Sequence, residues 1–133
     1  MPEQNVALVR QTFEAFKEGG FEAMLPFFPA DLEWHPAPGW VEDVIYHGYE
    51  GARRMSAIWT DNFEGLQLEL KEVRDVGERV LALAEATGRA REGGMPISQP
   101  YGAVYSGFAD CKIAKVQFFF TWQEALETVG LSE

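Results

Sequence analysis

Hydrophobic positions along this chain change period once, and the change divides it in two. From Pro2 to Glu18 the apolar residues Val6, Val9, Phe13 and Phe16 recur at steps of three and four, the spacing of one helix face. Gly19-Gly20 ends that helix, because glycine takes a left-handed cap at little cost. A second, short helix is predicted from Phe21 to about Phe28, kinked or cut short at Pro26. In Asp31 to Pro36, Leu32 and Trp34 alternate with Glu33 and His35, the pattern of a short strand. Pro36-Ala37-Pro38-Gly39 cannot continue it, and Trp40 to His47 is irregular enough for a loop or flap. Ala52, Met55, Ile58 and Trp59 then make a helical stripe between Tyr49 and Phe63, with Gly65 as its expected stop.

Beyond Gly65 the period falls to two. Leu66, Leu68, Leu70 and Val73 alternate with Gln67, Glu69 and Glu72, and Val76-Gly77-Glu78-Arg79 reads as a hairpin turn. Val80 to Arg91, Ile97 to Phe108 and Lys112 to Thr121 read as three further strands. Glu92-Gly93-Gly94 and Ala109-Asp110-Cys111 are the turns between them. Phe118-Phe119-Phe120 is apolar on both faces, as a strand covered on both sides requires. Trp122 to Val129 closes the chain as a short helix stopped by Gly130. Helices first and an antiparallel meander after them make the α+β pattern, in one domain spanning residues 1–133.

Composition narrows the partners more than the fold. Acidic residues outnumber basic ones 21 to 11, a net charge of -10, which argues against nucleic acid and against anionic membrane. No apolar run approaches the roughly 20 residues of a membrane span, and no basic-then-apolar leader is visible. The single cysteine, Cys111, excludes an intrachain disulfide and suits a reducing, cytoplasmic setting. Ten Phe, 4 Trp and 4 Tyr are more rings than a small core needs, which suggests a cavity lined with them.

The strand at 31–36 carries the best candidate chemistry. Leu32 and Trp34 share one face; Glu33 and His35 share the other. If the apolar pair packs on a helix, the ionisable pair looks into whatever the sheet encloses. There His35 could take up and return a proton near neutral pH, oriented by Glu33. Tyr105 offers a phenol from the third long strand. The expected walls are Phe16, Trp34 or Trp40, Met55, Trp59, Tyr105, Val116, Phe118 and Phe120, with the flap placed to cover them. His35 and His47, with Glu42, Asp43 and Glu50, match no metal-binding spacing, so no metal is expected. Arg89 and Arg91 share a strand face and read as solvated. No phosphate loop or dinucleotide fingerprint is present, so no cofactor is expected either. Exposed Leu, Val and Phe positions on the long strands suggest a homodimer formed sheet to sheet.

Six stretches carry a family resemblance: Asn5 to Gly20 (NVALVRQTFEAFKEGG), Asp31 to Pro36 (DLEWHP), Gly48 to Arg54 (GYEGARR), Arg74 to Leu83 (RDVGERVLAL), Lys112 to Phe120 (KIAKVQFFF) and Glu124 to Leu131 (EALETVGL). In this order they resemble the nuclear transport factor 2-like fold, and within it the SnoaL-like branch related to polyketide cyclases. The resemblance implies a cone: a strongly curved, mostly antiparallel sheet wrapped round the N-terminal helices, with a cavity inside. In similar ketosteroid isomerases the residue before the strand's proline is the proton shuttle, the position of His35. It also implies that Thr12 and Ala103 occupy the places of the isomerase's oxyanion donors, and Thr121 that of a cyclase aspartate. Neither enzyme's full set is therefore expected. Two readings stay open: a proton-transfer enzyme acting on a small, mostly apolar compound, and a domain that only binds such a compound or dimerises.

Overall fold

The computed structural model describes residues 2–131. Helix α1 (Pro2–Gly19) carries Glu3 in its first turn and Lys17 in its last, both favourable to the helix dipole. Helix α2 (Phe21–Met24) passes directly into a single 3-10 turn over Leu25–Phe27. Pro26 sits at the start of that turn, where its missing N–H costs nothing. Strand β1 (Glu33–His35) and the two-residue β2 (Tyr46–His47) flank the flap, and α3 (Gly48–Asn62) follows. Four long strands come next: β3 (Phe63–Val76), β4 (Arg79–Ala90), β5 (Pro96–Ala109) and β6 (Lys112–Phe119). Helix α4 (Trp122–Thr128) ends the described chain.

All six strands form one sheet in the order β2-β1-β6-β5-β4-β3. Only β1 and β6 run parallel; every other neighbouring pair is antiparallel. Two register shifts in β3, between Glu64 and Gln67 and between Leu70 and Glu72, bend the long outer strand. Gly65 lies in the first of these with φ of 65°. It was expected to stop α3, but the helix ends at Asn62 and the glycine serves the strand's bend instead. The Ala109–Lys112 hairpin closes through Asp110 and Cys111, both left-handed, with φ of 53° and 60°.

Apolar residues are buried on both sides of the sheet. On the concave side Val80, Ala82, Ala84, Ala103, Tyr105 and Val116 pack under α1 and α3, against Val9, Phe13, Ala52 and Met55. On the convex side Leu81, Leu83, Val104 and Phe119 lie beneath Ala125, Leu126 and Val129 of α4 and its flank. Close approach of α4 requires Gly102: a Cβ there would stand 2.4 Å from Ala125 Cβ. Thr121 caps α4, its Oγ1 accepting from Glu124 N at 3.1 Å. The convex apolar strip that suggested sheet-to-sheet dimerisation is thus covered by the chain's own helix. Among the described residues the exposed large hydrophobic side chains are Val41, Val44, Ile45 and Met95, and none of them lies on a strand.

Candidate functional site

The two helices and the concave sheet face do not fill the space between them. A cavity of about 110 Å³ remains. Helix α1 lines it with Thr12, Phe13 and Phe16, and α3 with Met55, Ser56 and Trp59. From the sheet come Trp34, Leu68, Ala86, Tyr101, Tyr105, Val116 and Phe118. Trp40 of the flap and Phe120, just past β6, complete the apolar wall. Ala103 is fully buried in the concave core but does not reach the cavity.

None of the lining residues is an Asp, Glu, His, Lys or Arg. The lining's polar groups are a few hydroxyls, one amide and the indole N–H groups. Thr12 Oγ1 donates to Val9 O at 2.7 Å. Gln99 Nε2 donates to the carbonyls of Pro100 (2.6 Å) and Phe120 (3.2 Å). Burial pushes the Tyr105 phenol well up from its ordinary value, with the Thr12 hydroxyl acting weakly against it. Burial raises Tyr101 likewise, and Tyr105 adds to the effect. Both phenols are therefore neutral O–H donors at any physiological pH. Trp34 sits edge-on to Phe21, Phe28 and Phe118, with centroids 5.8, 5.4 and 5.7 Å away. Its Nε1 is buried without a hydrogen-bond partner.

His35 and Glu33 do not line this cavity. Strand alternation holds, but the concave face belongs to the apolar pair. Register explains why. Trp34 stands opposite Val116, a cavity residue, while Glu33 and His35 stand opposite Lys115 and Gln117 on the other face of β6. The expectation that the imidazole projects into the cone is corrected on this geometry. A carboxylate and an imidazole would lose their hydration in an apolar cavity, whereas an indole gains by entering it. On the outer face His35 Nε2 pairs with Glu33 Oε1 at 3.0 Å, the side chains 19% and 45% exposed. That hydrogen bond is the main cause of a lowered Glu33 pKa. Among the described residues, no three His, Cys, Asp or Glu side chains are grouped so as to hold a metal ion. Thr121, at the place of a cyclase aspartate, is the α4 cap, and Trp122 Nε1 donates to Ala84 O at 3.0 Å.

Against this geometry the family comparison is decisive. A family model described as a SnoaL-like domain matches residues 9–116. The chain belongs to the SnoaL-like family. No curated protein matches this SnoaL-like chain. Solved structures do. An NTF2-like protein of unknown function from Burkholderia pseudomallei superposes with a TM-score of 0.76 at 18% identity, covering 96% of this chain and 98% of its own. A protein with a ketosteroid isomerase-like fold from Catenulispora acidiphila, in complex with trimethylamine, gives 0.71 at 17%, covering 93% and 92%. TerC, co-crystallised with polyporic acid, gives 0.75 at 17%, covering 95% and 98%. At such identities these likenesses establish the fold, an α+β NTF2-like cone. No helix among the described residues is long and apolar enough to cross a membrane.

Several lining residues escaped the sequence reading. Tyr101 shares the strand face of Ala103 and Tyr105, so period two alone could have found it. Ala86 shares the face of Val80, Ala82 and Ala84, so the same alternation could have found it. Phe21 and Phe28 carried no such signal, because their place on the cavity depends on packing edge-on against Trp34 of β1.

Proposed function

We propose that this SnoaL-like domain binds a small, neutral, mostly apolar ring compound carrying a hydrogen-bond acceptor. The observation that carries it is the absence of any charged side chain from the lining of an otherwise ring-walled cavity. An anion would leave water there without a cation to receive it, at a cost of several kcal/mol or more. A neutral carbonyl gains from the Tyr101 and Tyr105 phenols, whose burial keeps them protonated. Volume sets the size. An engineered closed apolar cavity of about 150 Å³ holds benzene; this one, about 110 Å³ and partly open, matches a single ring carrying a small substituent. Proteins of the same fold crystallised with trimethylamine and with polyporic acid support a small-molecule role.

Binding without acid–base turnover is the better-supported reading, because no imidazole or carboxylate reaches the cavity. We take the domain to be cytoplasmic on a separate ground, the single exposed Cys111 thiol, which suits a reducing compartment. Titration of tryptophan fluorescence with acetophenone and with benzoate tests the proposal, since Trp34, Trp40 and Trp59 line the space. Saturable quenching by the ketone and none by the carboxylate is expected. Equal binding of benzoate, or turnover of enones or epoxides in a substrate panel, overturns it.

A further inference from the structure

The flap between β1 and α3 is held by one polar chain. Trp40 Nε1 donates to Tyr46 Oη at 2.9 Å, and Tyr46 Oη donates to Glu42 Oε1 at 2.6 Å. Arg54 of α3 closes the chain, its Nε donating to Glu42 Oε1 at 2.9 Å and its Nη2 to Oε2. The Trp40 ring lies over Trp59 and Phe120, centroids 5.8 and 6.4 Å away, tilted by 30° and 37°. Around it the flap buries little. Val41, Val44 and Ile45 are 75%, 49% and 44% exposed, while Tyr46 is 2% exposed and anchored against Gly51 of α3. So the segment has one fixed end, one ring inserted over the cavity, and one chain of hydrogen bonds between them.

On the reading proposed above, we infer that Trp40 sets the size of ligand this cavity accepts, and that Arg54, through Glu42 and Tyr46, holds it closed. With the indole in place the space is a single ring's worth. Small-molecule pockets ordinarily run to about 300–1,000 Å³, so a fused-ring ligand needs the indole displaced. Displacement breaks two ring contacts and one N–H bond and unfolds nothing, because the neighbouring flap residues already face water. Trp40 is thus a specificity residue in contact with the ligand; Glu42 and Arg54 are positioning residues that act through it.

Two neutral methyl ketones with the same acceptor, acetophenone and 2-acetylnaphthalene, separate the parts. In wild type the one-ring ketone binds more tightly. Trp40→Ala is expected to raise affinity for the two-ring ketone relative to acetophenone by tenfold or more, with Trp40→Phe intermediate and less liable to unfold. Glu42→Gln is expected to keep the wild-type ratio while speeding both association and dissociation of acetophenone several-fold in stopped flow. It should also speed amide exchange at residues 39–46 without any ligand. An unchanged ratio in a folded Trp40→Ala or Trp40→Phe protein overturns the size assignment. Unchanged exchange in Glu42→Gln overturns the latch. If neither ketone binds wild type or variant, the ligand reading itself fails and the size assignment with it, while the exchange measurement still decides the latch.

Discussion

Filling the cavity from inside is the sharpest check on its existence. Ala86 is 1% exposed, lies on β4 between Leu68 of β3 and Gln99 of β5, and lines the space. Ala86→Leu adds three carbons to its side chain. A cavity of about 150 Å³ holds the six carbons of benzene, about 25 Å³ to each, so three carbons call for about 75 Å³. The cavity measures about 110 Å³, so the added group fits its volume. Gross stabilisation is then about 2.4 kcal/mol, less about 0.5–1 kcal/mol for fixing the leucine rotamer. A net gain of about 1.5 kcal/mol raises Tm by about 5 °C in a domain of this size. Ala84→Leu is the control: Ala84 is fully buried in the concave core and does not line the cavity. The same three carbons there overpack, at a cost of about 1–3 kcal/mol. Thermal melting compares the two, and ketone titration follows. If Ala86→Leu destabilises as much as Ala84→Leu, or still quenches with acetophenone, the cavity argument is refuted.

Four further outcomes are expected. Tyr105→Phe removes one donor and should weaken acetophenone by about 0.5–1.5 kcal/mol, a factor of about 2–13, while toluene binding stays unchanged in the same titration. Gly102→Ala should lose about 1–3 kcal/mol in chemical denaturation, because its Cβ would meet Ala125 Cβ at 2.4 Å. The hydrogen bond from Arg54, then that from Tyr46, holds Glu42 down from 4.5 to about 2. A value depressed by folding means its contribution is complete above the unfolded value and is lost progressively as pH falls from there through the folded one. Acrylamide access to Trp40 should therefore be flat from about pH 8 to 5 and rise below about 4.5, with Trp40→Phe as the reference; a rise between pH 7 and 6 would contradict the pairing. His35→Gln, on the outer face, should leave ketone affinity at the wild-type value, and a tenfold loss would return the imidazole to the site.

What a linear sequence can and cannot carry is visible in β1. Alternation along four residues settles that Leu32 goes with Trp34 and Glu33 with His35, because a strand offers no other arrangement. It does not say which pair faces inward. That depends on a strand about eighty residues later: β6 runs parallel beside β1, sets Trp34 against Val116, and so turns the indole into the cone and the imidazole out of it. The apolar stripe of α3 and the period-two strands were legible for the opposite reason, since their burial repeats within a few residues. Gly65 shows the same limit from the local side. A glycine after a helix reads as a stop, but here its positive φ serves a bulge, and only the pairing of β3 with β4 reveals it. The aromatic share foretold rings around a space. Which groups are missing from that space — any carboxylate, imidazole or amine — is a fact of three dimensions, and it shifts the chemistry from proton transfer toward selective binding.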